Sequence, residues 1–330
     1  MTARRVLLVS PGFHDYWQAI AAALEQRGHT VETHVYDAPP SLPGKVANKL
    51  LHDLPDAVTP ARLRTQLTDR AVDAVREHAP EVVVVVKGDL LQDAFWDLLD
   101  DRRLPRVTWL YDEVRRTRYT AETLARIGPL ATYSCTDARA LGATHLPLAF
   151  DRRVAYTPLP EPVVTFIGAR YPERESALER VHDAGVPVRA YGRDWSRGLG
   201  DRLHTHTLRA ARVDSAGELS RSEAYGVMAG SAATLNLHGD QDGFTMRTFE
   251  AAGVGAVQLI DRPDVSDLYD VDGAAGELLV FTALEELAEL AERCVREPRW
   301  ADGVRARGRA RTLAQHTFDH RVAVLESLWA

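Results

Sequence analysis

Three side chains in one short stretch are of the types that hold a phosphorylated or hydroxylated ligand. In "DGFTMRTFEAAGVGAVQLIDR", Asp242 to Arg262, an acid and a glycine precede a cation and a second acid. Asp242 and Glu250 flank Gly243 and Arg247, and the spacing predicts a helix from near Phe244. Glu250 then lies in its second turn and Asp242 just ahead of its first. The free N–H groups of Thr245 to Arg247 at such a helix start favour an anion such as a diphosphate. A carboxylate on the first turns accepts hydrogen bonds from sugar or ribose hydroxyls. An ordinary Asp cap and a solvent-facing Glu satisfy the same pattern.

A second stretch, "FIGARYPERESAL" from Phe166 to Leu178, reads as a strand ending at Gly168. A short loop carries Arg170, and Arg174 opens a helix. Arginine suits bidentate phosphate contacts. Surface pairing of both arginines with Glu173 and Glu175 is the alternative. The three-glycine dinucleotide fingerprint is absent, and so is a Walker-type loop.

These residues need a scaffold, and the chain alternates strand and helix signals throughout. "RVLLVS", "TVETHVY", "EVVVVV", "PRVTWLY", "LATYSC" and "THLPLAF" read as strands of the first half. Helices are expected over 15–27, 60–78 and 90–99. The β-branched run 82–86 reads as a fully buried parallel strand. The rhythm breaks at the Pro-rich linker 151–162 and restarts with "VVTFIG". Helices "ERESALERVHDAG", "SEAYGVMAGS" and "TMRTFEAAG" then alternate with strands "VPVRAYG", "AATLNLH", "AVQLI" and "ELLVF". Helical segments close the chain. A βαβ rhythm in both halves means an α/β protein with two doubly wound parallel-sheet domains, and ligands of such sheets bind at strand C-termini.

Candidate ligand residues of the first half follow from that rule. His14 and Asp15 follow the first strand, Lys87 and Asp89 follow the valine run, and Asp112 follows "VTWL". Any of His14, Asp15 or Asp112 has the chemistry of a general base. An ordinary cap or loop role is the alternative for each. A lysine directly after five valines is unlike plain core. His204 and His206 of "HTHTL" lack a third ligand, so a zinc site is not expected.

The 330-residue length fits two domains. A net charge of −7 argues against a broad nucleic-acid or anionic-membrane surface. No integral membrane segment is expected. Two distant cysteines, Cys135 and Cys294, and no signal-like apolar leader point to a reducing, cytoplasmic setting. The basic cluster in "YDEVRRTRY" is expected on the solvated face of a helix.

Residues 162–330 resemble the glycosyltransferase group-1 domain, most closely its CgeB-like branch, through "FIGARYPER", "DGFTMRTFEAAGVGAVQLIDR" and "DLYDVDGAAGELLVFTALEELAEL". The resemblance implies the GT-B fold, two Rossmann-like domains facing a cleft. It implies an acceptor-binding domain over 1–157 and a nucleotide-sugar-binding domain over 158–316. Residues 317–330 would form a helix packing back on the first domain. It implies hexosyl or related sugar transfer from a nucleoside-diphosphate sugar to a small-molecule or glycan acceptor. No metal or separate cofactor is implied. The acid-x7-acid arrangement favours retention. A nucleotide-sugar epimerase and a non-catalytic binding protein are the alternatives on this fold. By position, Glu250 would bind the ribose, Asp242 would face the donor sugar, and Arg174 would hold the diphosphate. Asp242 stands where the family usually has Glu, so its reach is one methylene shorter. Arg170 is one residue from the family's other basic position, which is Ala169 here. Gly168, His238, Gly243, Phe244, Thr245 and Arg247 would complete the donor site.

Overall fold

The computed structural model describes residues 2–37, 61–198, 201 and 209–329. The expected loop Ala38 to Pro43 and the histidines His204 and His206 lie outside them. The chain divides into two compact units, Met1–Leu148 with Phe318–Ala330, and Ala149–Thr317.

Unit 1 holds a six-stranded sheet of β1 (Arg5–Ser10), β2 (Thr30–Val35), β3 (Val82–Val86), β4 (Arg106–Leu110), β5 (Leu130–Thr132) and β6 (Thr144–His145). All pairings are parallel, in the order β2-β1-β3-β4-β5-β6. The valines of β3 are essentially fully buried, as a central strand covered on both faces requires. Its helices are α1 (Tyr16–Gln26), α2 (Ala61–His78), α3 (Asp93–Asp101), α4 (Ala121–Arg126) and α5 (Cys135–Leu141). The terminal helix, Phe318–Leu328, also belongs here. Its buried Arg321 donates to the carbonyls of Pro147 and Leu148 at 2.7 and 3.0 Å. Its buried Glu326 pairs with His29 at 2.8 Å and with Arg27.

Unit 2 holds β7 (Glu161–Ile167), β8 (Val188–Tyr191), β9 (Asp214–Ala216), β10 (Ser231–Asn236), β11 (Gln258–Ile260) and β12 (Leu279–Val280). The parallel order is β12-β11-β10-β7-β8-β9. Its helices are α6 (Pro172–Asp183), α7 (Arg221–Gly230), α8 (Met246–Val254), α9 (Leu284–Arg296) and α10 (Pro298–Gln315). Small residues on α7 admit the segment before β7. Leu159 N–H donates to the Gly226 carbonyl at 3.0 Å, and a Cβ at Gly230 would overlap the Leu159 carbonyl.

Several local expectations shift. The helix expected over 90–99 begins at Asp93, behind a turn in which Leu91 N–H bonds Gly88. The strand expected in "THLPLAF" stops at His145, because Pro147 has no N–H for a ladder. "LATYSC" is strand only to Thr132, and Ser134 caps the next helix by accepting from Asp137 N–H. "YDEVRRTRY" forms a single 3-10 turn, Val114–Arg116, whose Arg116 bonds a buried Glu113.

Each strand order has one place where the direction of winding reverses. In unit 1 it lies between β1 and β3, and in unit 2 between β7 and β10. At such a point the connections from neighbouring strands leave to opposite faces and open a crevice at the strand C-termini.

Candidate functional site

The unit-2 crevice gathers most of the residues singled out in the C-terminal half. From β7 come Gly168 and the loop to α6. From β10 come Leu237, His238 and the loop to α8. Gly168 is gripped on both sides: its N–H donates to Tyr191 O at 3.0 Å, and its carbonyl accepts from the Trp195 indole at 2.9 Å.

Arg174 spans the crevice. One guanidinium nitrogen donates to the Ala169 carbonyl at 3.2 Å and the other to the Leu237 carbonyl at 3.0 Å. Its head lies over the Phe166 and Tyr171 rings. Among the described residues it makes no ion pair. Burial pulls its pKa down, and the field of Tyr171, Asp261 and Glu173 opposes that. Arg170 behaves differently. Its guanidinium, 7% exposed, pairs with Glu175 at 2.6 Å and donates to the Arg209 carbonyl. The sequence alternative of an Arg170–Glu175 pair is therefore present, but it is buried.

The α8 start is as open as the spacing suggested, two residues later than Phe244. Thr245 is the N-cap and its side chain caps nothing. The N–H groups of Met246 and Arg247 lack intrahelical partners, while Thr248 N–H turns back to the Thr245 carbonyl at 3.1 Å. Arg262 straps the preceding loop: it donates to the carbonyls of Gln241 (2.6 Å) and Asp242 (3.1 Å) and lies over Phe244. Asp264 hydrogen-bonds this arginine and raises its pKa. Asp242 is half-buried and Gly243 buried beside it.

Two carboxylates are spent inside. Glu250, 1% exposed, accepts from Arg247 at 2.9 Å and from the Tyr225 hydroxyl at 3.2 Å. His238 is fully enclosed, with Nδ1 at 2.9 Å from Asp261 and Nε2 at 3.1 Å from the Thr248 hydroxyl. Asn236 Nδ2 donates to the same hydroxyl and to Gln258, which in turn donates to the Thr248 carbonyl. His238 thus fixes the loop and the helix start rather than offering a free ring nitrogen. Tyr225, Asp261 and Arg262 carry this architecture and were not singled out from sequence. Asp261 and Arg262 close the quoted motif directly after a strand, which is the one signal that marked them.

The unit-1 crevice collects the other candidates. His14 (φ 47°), Asp15 (φ 56°) and Lys87 (φ 59°) all have left-handed backbones. Lys87 Nζ lies 2.7 Å from Asp112 Oδ2. Burial would lower the Lys87 pKa, but Asp112 and Asp89 carry it above the usual lysine value. Asp89 is 5% exposed, and burial raises its pKa despite nearby Lys87. Tyr119 donates to the Lys87 carbonyl at 2.6 Å, and Gly88 N–H reaches the Tyr36 hydroxyl. Asp37 accepts from Gly12 N–H at 2.6 Å. His14 and Asp15 are exposed on the neighbouring strand end. Tyr36, Asp37 and Tyr119 were also not singled out from sequence.

Among the described residues no group of three or more His, Cys, Asp or Glu is placed to hold a metal ion. No helix among them is long and apolar enough to cross a membrane.

Comparison with known proteins agrees with this geometry. Residues 172–327 match the family described as glycosyl transferase-like. No curated protein matches the sequence. Among solved structures, a sucrose-phosphate synthase from Thermosynechococcus elongatus superposes with a TM-score of 0.67 at 14% identity, covering 99% of this chain and 98% of its own. The Anabaena protein Alr3699/HepE, in complex with UDP and glucose, gives 0.63 at 14% identity, covering 98% of each chain. A Listeria monocytogenes protein described as a putative UDP-N-acetylglucosamine 2-epimerase gives 0.57 at 12%, covering 98% of this chain and 94% of its own. At these identities the likeness establishes the fold, which is GT-B.

Proposed function

We propose that this protein is a glycosyltransferase that binds a nucleoside-diphosphate sugar at the unit-2 crevice and an acceptor at the unit-1 crevice. The observation that carries the reading is the join of β7 and β10 by Arg174, next to the uncapped start of α8, inside the segment that matches a glycosyl transferase-like family. Breaking an anomeric C–O bond builds negative charge on the leaving diphosphate. A guanidinium and helix-start amides fixed beforehand stabilise that charge without reorganising. No metal is needed on this reading.

Asp242 faces the donor sugar, and Glu250 accepts a ribose hydroxyl by exchange with its Arg247 contact. Arg170 supports the loop through Glu175, with its field still felt by the phosphates. His14, Asp15 or Asp112 would serve as base in an inverting reaction, but we favour retention, on the acid-x7-acid arrangement. We also place the protein in the CgeB-like branch, acting on a hexose or related sugar in the cytoplasm. The Alr3699/HepE complex makes uridine nucleotides the first to try.

The test is a thermal-shift screen of nucleoside diphosphates, followed by release of UDP from UDP-sugars with and without acceptors. A cognate nucleotide raises the melting temperature by mass action. No shift with any nucleotide refutes the donor site. An epimerase would instead exchange the sugar C2 proton with deuterated solvent and need no acceptor.

A further inference from the structure

We propose that the Lys87–Asp112 pair selects the acceptor, and that it takes a neutral, hydroxyl-rich molecule and rejects an anionic one. The inference rests on the reading of unit 1 as the acceptor side and adds the chemistry of the acceptor.

The first support is conformational. Five described non-glycine residues have left-handed φ, and three of them, His14, Asp15 and Lys87, sit on the two strand ends that flank the unit-1 crevice. Strained residues persist where the surroundings over-determine them, and they gather at ligand sites. Lys87 is over-determined. Its N–H donates to Trp109 O at 2.9 Å, its carbonyl accepts from Tyr119, and the following Gly88 N–H is held by Tyr36. A Cβ at Gly88, where φ is +74°, would meet Val85 at 2.6 Å and the Tyr119 hydroxyl at 2.8 Å. The turn that aims Lys87 is therefore built, not incidental.

The second support is charge. Strand ends β2, β1, β3 and β4 bring Asp37, Asp15, Asp89 and Asp112 to this edge. Among the described residues the cations there are Lys87, Arg115, Arg116 and Arg118; Arg115 and Arg116 lie against a further acid, the buried Glu113, and the Arg118 backbone N–H donates to Asp89. Lys87 is already paired with Asp112. Asp89 is almost wholly buried and one of its oxygens has no hydrogen-bond partner. Asp15 is exposed and among the described residues its carboxylate has no partner. A phosphate or carboxylate arriving here would meet acids in excess of cations, and like charges at close range disfavour it.

The third support is hydrogen-bond complementarity. The pair stays partly open, with side chains 23% and 40% exposed for Lys87 and Asp112. An ammonium offers only donors and a carboxylate only acceptors. Side by side they match two neighbouring hydroxyls, each of which both donates and accepts. On the neighbouring strand end Phe13, 62% exposed, lies edge-on to His14 and offers an apolar face.

The experiment is saturation-transfer NMR on the full chain with methyl glucoside, galactoside and mannoside, against the corresponding hexose 6-phosphates. The expected result is saturation transfer to at least one neutral glycoside and none to its phosphate. Lys87→Met and Asp112→Asn should each weaken the neutral signal about tenfold, and Asp112→Asn should let a 6-phosphate bind. UDP titration of the same samples reports the unit-2 site and confirms folding. Preference of the parent protein for a 6-phosphate overturns the proposal, as does silence towards every neutral glycoside. Unchanged binding in both variants overturns the role of the pair. Failure of UDP to bind, with neutral glycosides still bound, would instead remove the donor reading and leave this one standing.

Discussion

Replacing Arg174 with alanine should do two separable things. The guanidinium ties the loop after β7 to the loop after β10 through two carbonyls, at 3.2 and 3.0 Å. Hydrogen bonds from a charged group contribute about 1.5–3 kcal/mol each when well buried. This group is partly exposed, and water can replace it, so the low end applies. The ring contacts with Phe166 and Tyr171 add about 0.5–1 kcal/mol. The expected loss is about 3–4 kcal/mol in unit 2. At roughly 2–4 °C per kcal/mol for a domain of this size, the melting temperature should fall by about 7–15 °C. Below that melting point, turnover should fall further than UDP affinity, by roughly 10²–10³-fold, because charge on the diphosphate grows in the transition state. Arg174→Lys should recover about half of each effect, since an ammonium restores the charge but not the two-pronged reach. Differential scanning calorimetry, UDP titration and steady-state kinetics on the three proteins decide the matter. An unchanged melting temperature refutes the strap. A lowered melting temperature with parental turnover refutes the phosphate role and keeps the strap.

Other expectations follow from the same geometry. Glu250→Gln should weaken UDP binding about tenfold and also destabilise unit 2 by about 1–3 kcal/mol, because the buried carboxylate answers both Arg247 and Tyr225; titration and melting measure the two, and parental UDP affinity would end the ribose assignment. Burial, with Arg70 and His78 nearby, pulls the His34 pKa down to about 4. The unfolded chain then takes up the proton first as pH falls from about 6.5, so stability should drop by about 1–2 kcal/mol between pH 7 and 5 and level off below 4. His34→Gln should flatten that slope in urea melts, and an equal slope in both proteins would be contrary evidence. On the proposed donor reading, in which Arg174 and the α8 amides face the leaving group, sugar transfer should persist in EDTA; loss restored by magnesium would show that a metal does this work. Gly230→Ala should cost more than about 3 kcal/mol, since its Cβ would overlap the Leu159 main chain, and near-parental melting would refute that packing.

The sheets were legible because buried parallel strands are nearly continuous apolar runs, and Val82–Val86 has no other comfortable home. The prolines of the expected linker 151–162 mark a stretch without helix that ends where β7 begins at Glu161, whereas the two units divide earlier, after Leu148. What was missed is short. Helices Ala121–Arg126 and Cys135–Leu141 have too few turns to show a period, and strand Asp214–Ala216 is a polar edge. The same limit applies to the site. The nearness of Arg247 to Glu250 and the place of Arg174 at a helix start were legible because their spacing is local, but the buried pairing of Arg247 with Glu250 was not. Tyr225 reaches Glu250 from 25 residues away, and Tyr36 reaches Gly88 from 52. No local pattern encodes such partners, because only the strand order brings them together.

The two crevices are held by opposite means, and this bears on what each is for. In unit 2 the polar groups beneath α8 form a closed set. Asn236 donates to the Thr248 hydroxyl, which also meets His238 Nε2 at 3.1 Å. The other ring nitrogen of His238 faces Asp261 at 2.9 Å. These bonds tie the loop and the helix start into one arrangement, with no left-handed non-glycine residue among the described residues of unit 2. A site of this kind suits a ligand part that never varies, such as a diphosphate, since fixed dipoles stabilise growing charge without moving. In unit 1 the same geometric place is made with left-handed Lys87, His14 and Asp15, a half-open ion pair and a carboxylate oxygen without a donor. Strain of about 1–3 kcal/mol per residue is retained there. Left-handed non-glycine backbone is kept at the unit-1 crevice and not at the unit-2 one, so on the proposed reading the acceptor side is the one whose loops a ligand can reshape.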